Sequence, residues 1–350
     1  MTNKTSEFIL NTWYVIAWSD EVNRTLLGRT VAGVPVVLYR RLDGTATAIH
    51  GVCPHRFAPL AMGNLIEDRV QCNYHGLEFD CSGKCVKNPQ SGGQVVDALH
   101  IDAYPLQEKH SLIWIWLGDR DKAQQQDIPD FSHLTDPARR TIKGLSRVNG
   151  GHQLMVDNLM DLGHFNYLHK AMAKLSTGFE DVKREVRQEG NTVFNNLLFP
   201  GCKPTVLFQS GFEDKDTIVD QFNDIRWDPI GLMRNQVGVT PTGRGREHGI
   251  NQYGTHIVIP ETVDSCHYFY GSSRNYSQDD ETVDALFRQW QQRALNDEDK
   301  PMIEKIHALQ PYLRANGRTP VMLSSDGAAV RVQRIVESML KLEQEARKDK

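Results

Sequence analysis

Two short segments constrain the fold of this 350-residue chain more than any others: Cys53-Pro54-His55 and, sixteen residues later, Cys72-Asn73-Tyr74-His75. Each offers one thiolate and one imidazole. Four metal-binding donors divided evenly between two segments work together only if a scaffold holds both segments side by side as loops. The flanking sequence reads as such a scaffold. Trp13 to Trp18, Pro35 to Arg40 and Leu112 to Leu117 are rich in β-branched and aromatic residues, and Asp43-Gly44 and Ser82-Gly83 supply turns. Together they predict a small β domain ending near Gly118.

Zinc accepts two cysteines and two histidines, but its sites usually pair Cys with Cys and His with His at short spacing. One Cys and one His per loop is instead the pattern in which two cysteines hold one iron and two histidines hold its neighbour, a Rieske [2Fe-2S] centre. The remaining cysteines, Cys81, Cys85, Cys202 and Cys266, then read as small buried thiols. Six cysteines in so long a chain do not suggest a disulfide framework. The segment MTNKTSEFIL lacks the apolar core of a signal peptide and no apolar run reaches membrane-spanning length, which predicts a cytoplasmic protein. A net charge of -4 with both signs mixed leaves no basic stripe for nucleic acid.

A Rieske centre moves one electron and does no bond chemistry, so the chain is either an electron carrier or an enzyme with a second metal. Residues 119–140, polar and containing Pro129 and Pro137, read as a linker, and the 210 residues of 141–350 exceed what an electron carrier needs. Within them Val193 to Phe199, Ile218 to Phe222, Tyr253 to Ile259 and Cys266 to Gly271 read as strands. Val283, Leu286, Phe287, Trp290 and Ala294 share one helical face, which Ile303, Ile306 and Leu309 continue after a break at Pro301; Val330 to Leu342 forms a last amphipathic segment. The densest cluster of donors is Asp157 to His169, DNLMDLGHFNYLH. A non-haem iron that activates O2 takes two histidines and one carboxylate and keeps positions open. His164 and His169 are five apart, about 140° around an ideal helix, so sharing a metal requires the helix to end or unwind near Gly163.

CPHRFAPL with CNYHGLEFD, and then Asn158, Asp161, His164 and His169, resemble the Rieske non-haem iron oxygenases. NDIRW (223–227), GTHIVIPET (254–262), CHYFYGSSRN (266–275) and the region around Trp290 extend the resemblance along nearly the whole chain, towards the aromatic O-demethylase branch. The resemblance implies an α+β fold: an N-terminal β Rieske domain (1–118) followed by a catalytic domain (141–350) with a curved antiparallel sheet packed by helices. It implies that Cys53 and Cys72 hold one cluster iron and His55 and His75 the other. It implies a mononuclear Fe(II) on His164, His169 and Asp299, the last from LNDEDKP, where helix capping is the competing role. Asp161 would connect His164 to His75 of the neighbouring subunit in a head-to-tail homotrimer. Asn158 is either close to the iron or a helix-interior amide satisfying backbone. Asn235 and His256 would bind a substrate carboxylate and Trp290 would line the pocket, although His256 and Trp290 suit a core equally well.

The implied activity is that of a terminal oxygenase. Electrons from NADH would come through a separate reductase, with or without a ferredoxin, because the chain has no glycine-rich dinucleotide fingerprint. With O2, a methoxy group of an aromatic carboxylic acid would be hydroxylated and lost as formaldehyde. Hydroxylation of a methyl group or ring is the alternative reaction, and a Rieske electron carrier the alternative class.

Overall fold

Continuous apolar runs at Trp13 and Leu112 become paired strands buried at every position, as expected of segments covered on both faces. The computed structural model describes residues 7–170, 182–212, 214 and 217–348. The chain divides between Ile128 and Pro129, inside the expected linker, and the first unit also takes in Ile259–Thr262.

The first unit contains β1 (Trp13–Trp18), β2 (Leu27–Val31), β3 (Val34–Arg40), β4 (Ala46–His50) and β5 (Asn64–Ile66). It continues through β6 (Arg69–Gln71), β7 (Glu78–Phe79), β8 (Cys85–Lys87), β9 (Leu106–Lys109) and β10 (Leu112–Trp116). These strands make three small sheets, ordered β1-β10-β9, β2-β3-β4 and β5-β6-β7-β8. Neighbouring strands pair antiparallel, so the turns between them can be short. A core of Val37, Tyr39, Ile49, Val70 and Phe79 reaches up to Cys53 and Cys72.

The second unit is built on seven strands: β11 (Arg140–Val148), β12 (Lys183–Glu189), β13 (Thr192–Cys202), β14 (Val219–Asp228), β15 (Leu232–Pro241), β16 (Ile250–Thr262) and β17 (Ser265–Arg274). Their order is β11-β17-β16-β15-β14-β13-β12. Alternate burial along β13, with Val193, Asn195, Leu197 and Phe199 inside, shows one face turned inward. Helices α1 (His152–Met160), α2 (Phe165–Leu168), α3 (Val206–Gln209), α4 (Glu281–Gln291), α5 (Lys300–Ala315) and α6 (Gly327–Lys348) complete the unit. No helix among the described residues is long and apolar enough to cross a membrane.

Three expectations change. The helix does not break at Pro301: α4 widens into a π-helical segment, Gln292–Asp299, which runs straight into α5 with the proline in its first turn, where a missing N–H is tolerated. Of the apolar stripe expected beyond it, Ile303 is buried, but Ile306 and Leu309 are 40% and 57% exposed. Among the cysteines read as buried, Cys81 is only half-buried; none of the six forms a disulfide.

Candidate metal centres and the adjoining cavity

The two donor loops of the first unit are built alike. Between β4 and β5 the N–H of Cys53 donates to the carbonyl of Ala58 at 2.9 Å, and that of Phe57 donates to Cys53 at 2.9 Å. Between β6 and β7 the N–H of Cys72 donates to Leu77 at 2.8 Å, and that of Gly76 to Cys72 at 2.9 Å. The fourth residue after each cysteine is left-handed, with φ 76° at Gly76 and φ 58° at Phe57. Glycine takes that conformation freely, whereas Phe57 holds it against its own side chain. Both cysteines are 2% exposed, while the rings of His55 and His75 lie nearer the surface with centroids 4.5 Å apart. Burial pushes the Cys53 thiol up to about 11, against the pull of the His55 and Arg56 N–H groups that donate to its sulfur. Two inner sulfurs, backbone donors and two outer imidazoles fit a two-iron cluster held by cysteines on one side and histidines on the other.

In the second unit α1 ends at Met160, and Asp161 adopts extended backbone, φ -108° and ψ 110°. Its carboxylate accepts the N–H of Gly163 at 2.8 Å, capping the 3-10 turn Leu162–His164 that leads into α2. The helix therefore breaks two residues ahead of the expected Gly163, through an aspartate cap rather than glycine's freedom. This turn cancels the angular mismatch of a five-residue spacing: the rings of His164 and His169 lie with centroids 5.2 Å apart.

Both rings are oriented from behind. Nδ1 of His164 is 2.6 Å from the Asp161 carbonyl and Nδ1 of His169 is 2.7 Å from Oε2 of Glu298. Each partner only accepts, so each Nδ1 carries the proton and each Nε2 keeps a lone pair. The two Nε2 atoms lie 3.7 and 3.3 Å from Oδ1 of Asp299. Asp299 is 2% exposed, and this oxygen has no hydrogen-bond partner. Nor does the side chain cap α5, so the competing capping role is not seen. It closes the π-helical segment, a distortion that often accompanies functional sites. Burial lowers the pKa of His164. Burial also disfavours charge on His169, but the carboxylates of Asp299 and Glu298 outweigh it and raise that pKa. Donor atoms of the three residues all lie within 4.8 Å of one another. Two imidazoles with free Nε2 lone pairs and a partnerless buried carboxylate oxygen fit a divalent metal, non-haem iron in particular.

A cavity of about 200 Å³ opens beside this triad, lined by His164, His169 and Asp299 and by the inward sheet face. Asn235, His256 and Trp290 all line it. His256 is stacked near Tyr268, its Nδ1 2.5 Å from the hydroxyl, and burial drives the imidazole pKa down to about 4. Tyr268 is raised well above its ordinary value by burial, so both groups are neutral. Gly254, opposite Asn235 in the ladder, makes room for that side chain: a Cβ there would lie 1.8 Å from Asn235 Oδ1. Trp290, on α4, faces Phe165 with ring centroids 6.3 Å apart. Asn158 keeps a buried Nδ2 without a hydrogen-bond partner, so that atom satisfies no backbone group.

Residues 148–342 match the profile of the vanillate O-demethylase oxygenase C-terminal domain, and residues 12–105 match that of the Rieske [2Fe-2S] domain. The chain belongs to the Rieske oxygenases of the vanillate O-demethylase family. It is 45% identical over 336 residues to the oxygenase component of dicamba O-demethylase from Stenotrophomonas maltophilia, covering 96% of this chain and 99% of that one. A crystal structure of dicamba monooxygenase bound to 3,6-dichlorosalicylic acid aligns with a TM-score of 0.92 at 45% identity, over 96% of this chain and 98% of the other. A second, of dicamba monooxygenase with non-haem iron and dicamba, aligns with a TM-score of 0.85 at 43% identity, over the same shares. This Rieske oxygenase is accordingly an oxidoreductase with an N-terminal Rieske domain and an antiparallel α+β fold.

Sequence reasoning missed several residues of the oxygenase's cavity and metal centre. Glu298, behind His169, was indistinguishable from its acidic neighbours in NDED. Tyr268, behind His256, looked like any strand aromatic. Gln221, Asn223 and Gln252 did leave a signal: they are amides at alternate strand positions, where an inward face would otherwise be apolar.

Proposed function

We propose that this oxygenase is the terminal component of an aromatic O-demethylase that converts the methoxy group of an aromatic carboxylic acid to a phenol. The carrying observation is that the two-histidine, one-carboxylate set borders a cavity combining aromatic walls with the neighbouring Asn235 and His256. In this reading 1–118 carries the electron, 119–140 links, and 141–350 does the chemistry. Cys53, His55, Cys72 and His75 hold the cluster, and His164, His169 and Asp299 hold the iron.

When bound, the cluster supplies single electrons and the iron activates O2. Glu298 and the Asp161 carbonyl keep both histidine Nε2 atoms unprotonated and aimed at one point. With Tyr268 donating to Nδ1, neutral His256 offers an Nε2–H towards the cavity, and Asn235 adds an amide N–H. Two neutral donors hold a carboxylate without burying a counter-charge, while Trp290 and Phe165 wall the ring. A substrate fixed at its carboxylate presents its methoxy carbon for hydroxylation, and the resulting hemiacetal loses formaldehyde.

Electrons originate from NADH through a separate reductase, with or without a ferredoxin, in the cytoplasm. In a head-to-tail homotrimer Asp161 joins His164 to His75 of the neighbouring subunit. Its carbonyl already accepts from His164, and its carboxylate, which caps Gly163, retains lone pairs for another imidazole. Asp161→Asn should keep the Rieske absorbance and lose turnover; normal turnover would sink the bridge.

The activity is tested by NADH-dependent O2 uptake with a surrogate reductase and a panel of methoxylated aromatic acids. One formaldehyde per O2 consumed is expected. Oxidised products that retain the methoxy carbon would overturn the proposal.

A further inference from the structure

One hydrogen-bonded pair beside the metal triad joins an oxidisable side chain to a base. Tyr268, on β17, is fully buried in a core cluster with Val148, Met155, Trp227 and Cys266. Its hydroxyl is 2.5 Å from Nδ1 of His256, on the neighbouring strand β16, and the two rings are stacked. Among the described residues this nitrogen is the hydroxyl's only hydrogen-bond partner. Burial keeps both groups neutral, raising the phenol well above its ordinary pKa and lowering the imidazole to about 4. The Asp299 carboxylate acts on both, so the pair lies within electrostatic reach of the triad.

A buried phenol gives up an electron readily only if its proton leaves at the same time, because the alternative is an unpaired positive charge in the core. The Nδ1 lone pair of His256 supplies that exit. The imidazolium formed is not sealed in, since His256 lines the cavity. Tyr270 offers the contrast. It lines the cavity with the triad, and its ring centroid is 5.5 Å from that of Tyr268, but its hydroxyl accepts from Nδ2 of Asn296 at 3.3 Å. An amide N–H takes up no proton, so Tyr270 spans the gap between triad and Tyr268 without a base of its own.

We infer that Tyr268 is an internal one-electron donor to the mononuclear iron site, with His256 as the acceptor of its proton. The O–H bond of Tyr268 breaks; its electron passes by way of the Tyr270 ring to the oxidised site, and its proton passes to Nδ1 of His256. Tyr268 is oxidised to a phenoxyl radical and the site is reduced by one electron. An electron from the Rieske centre, with the proton returned from His256, restores the phenol. The pair thereby discharges oxidising power that forms when the cavity holds no substrate, on a side chain that can be restored rather than on the histidine ligands. The inference rests on the iron assignment above and on no particular substrate.

The test is electron paramagnetic resonance on enzyme holding iron(II) and an oxidised cluster, freeze-quenched after hydrogen peroxide is added without substrate. Iron(II) and Tyr268 each give one electron, which with two protons from solvent convert one peroxide to two waters. Wild type should show a phenoxyl signal that narrows when the protein carries ring-deuterated tyrosine. The signal should be lost in Tyr268→Phe and kept in Tyr270→Phe, with iron per chain and cluster absorbance unchanged in both. His256→Phe, which keeps the phenol and removes its base, should lose the signal as well. Wild type that oxidises its iron(II) without a phenoxyl signal would overturn the proposal, as would a signal that survives in Tyr268→Phe. Wild type that fails to hold the mononuclear iron would overturn the iron assignment, and the donor with it.

Discussion

Glu298 holds His169 from behind: its Oε2 lies 2.7 Å from Nδ1 of the ring, while the next residue, Asp299, reaches within 3.3 Å of Nε2 on the ring's other side. Consecutive residues of a π-helical segment thus serve one imidazole twice, as orienting acceptor and as fellow donor. Arg293 fixes the other Glu298 oxygen at 3.0 Å. Loss of such an orienting partner typically costs about 10–100-fold in metal affinity. Glu298→Ala should therefore shed iron to a chelator at least tenfold more readily than wild type, while Glu298→Gln, which still offers an acceptor, falls between them. Iron per chain, read beside the cluster absorbance, measures this. His164→Ala and His169→Ala should each lose one iron per chain with the cluster retained, an outcome a pure electron carrier would not give.

Gly254→Ala tests the cavity itself. The added Cβ would meet Asn235 Oδ1 at 1.8 Å and His256 Nε2 at 2.9 Å, so both side chains must move. Displacing two hydrogen-bonding donors should weaken aromatic-acid binding by about tenfold or more. Iron content should be unaffected, because the atoms the added Cβ meets first belong to Asn235 and His256 rather than to the triad. Unchanged affinity would show that Asn235 and His256 do not hold the acid.

What was legible beforehand follows from how local each cause is. The strand Trp13–Trp18 could be read because burial on both faces leaves an unbroken apolar run, and the paired cysteine loops could be read because their donors are close in sequence. The break in Asp157 to His169 was legible as a need, from two histidines on the wrong angular spacing, but its cause, the Asp161 carboxylate on Gly163, was not. The run across Pro301 was misread because a 3.6-residue period contains no signature of a π-helical turn. Asp299 reaches His169 from 130 positions away, a meeting created by the tertiary fold that no local pattern records. The amides of β14 and β16 were visible as letters, but their meaning depended on knowing which sheet face is inward.

Asp284 anchors α4 to the sheet. It is 1% exposed and accepts Arg274 at 2.5 Å and Arg140 at 2.6 Å, with Arg274 itself 1% exposed. Removing one member of a buried ion pair leaves a charge without compensation and typically costs about 3–5 kcal/mol. Asp284→Ala should lower stability by that amount in urea unfolding followed by circular dichroism. Replacing both partners, Asp284→Leu with Arg274→Met, should cost far less, because no lone charge remains buried. A single-variant loss below about 1 kcal/mol, the range of a surface pair, would contradict this role.

Asp157 should make stability fall as pH rises. It accepts the Gln153 amide at 2.8 Å and, from α6, the Gln333 amide at 2.9 Å, yet burial outweighs both and pushes its pKa from 3.8 to about 6. A carboxyl whose folded pKa lies above its unfolded one binds its proton more tightly when folded. Its contribution is therefore complete below pH 3.8 and is lost as pH climbs through about 6. At pH 8 the deficit is about 3 kcal/mol, from roughly two pKa units at about 1.4 kcal/mol each. Asp157→Asn stays neutral throughout, so its stability relative to wild type should rise by about 1.4 kcal/mol between pH 5 and pH 8, the rest of the deficit having accrued below pH 5. Urea midpoints of the two proteins at both pH values measure the difference. Parallel pH dependence would mean that Asp157 does not change its protonation across that window.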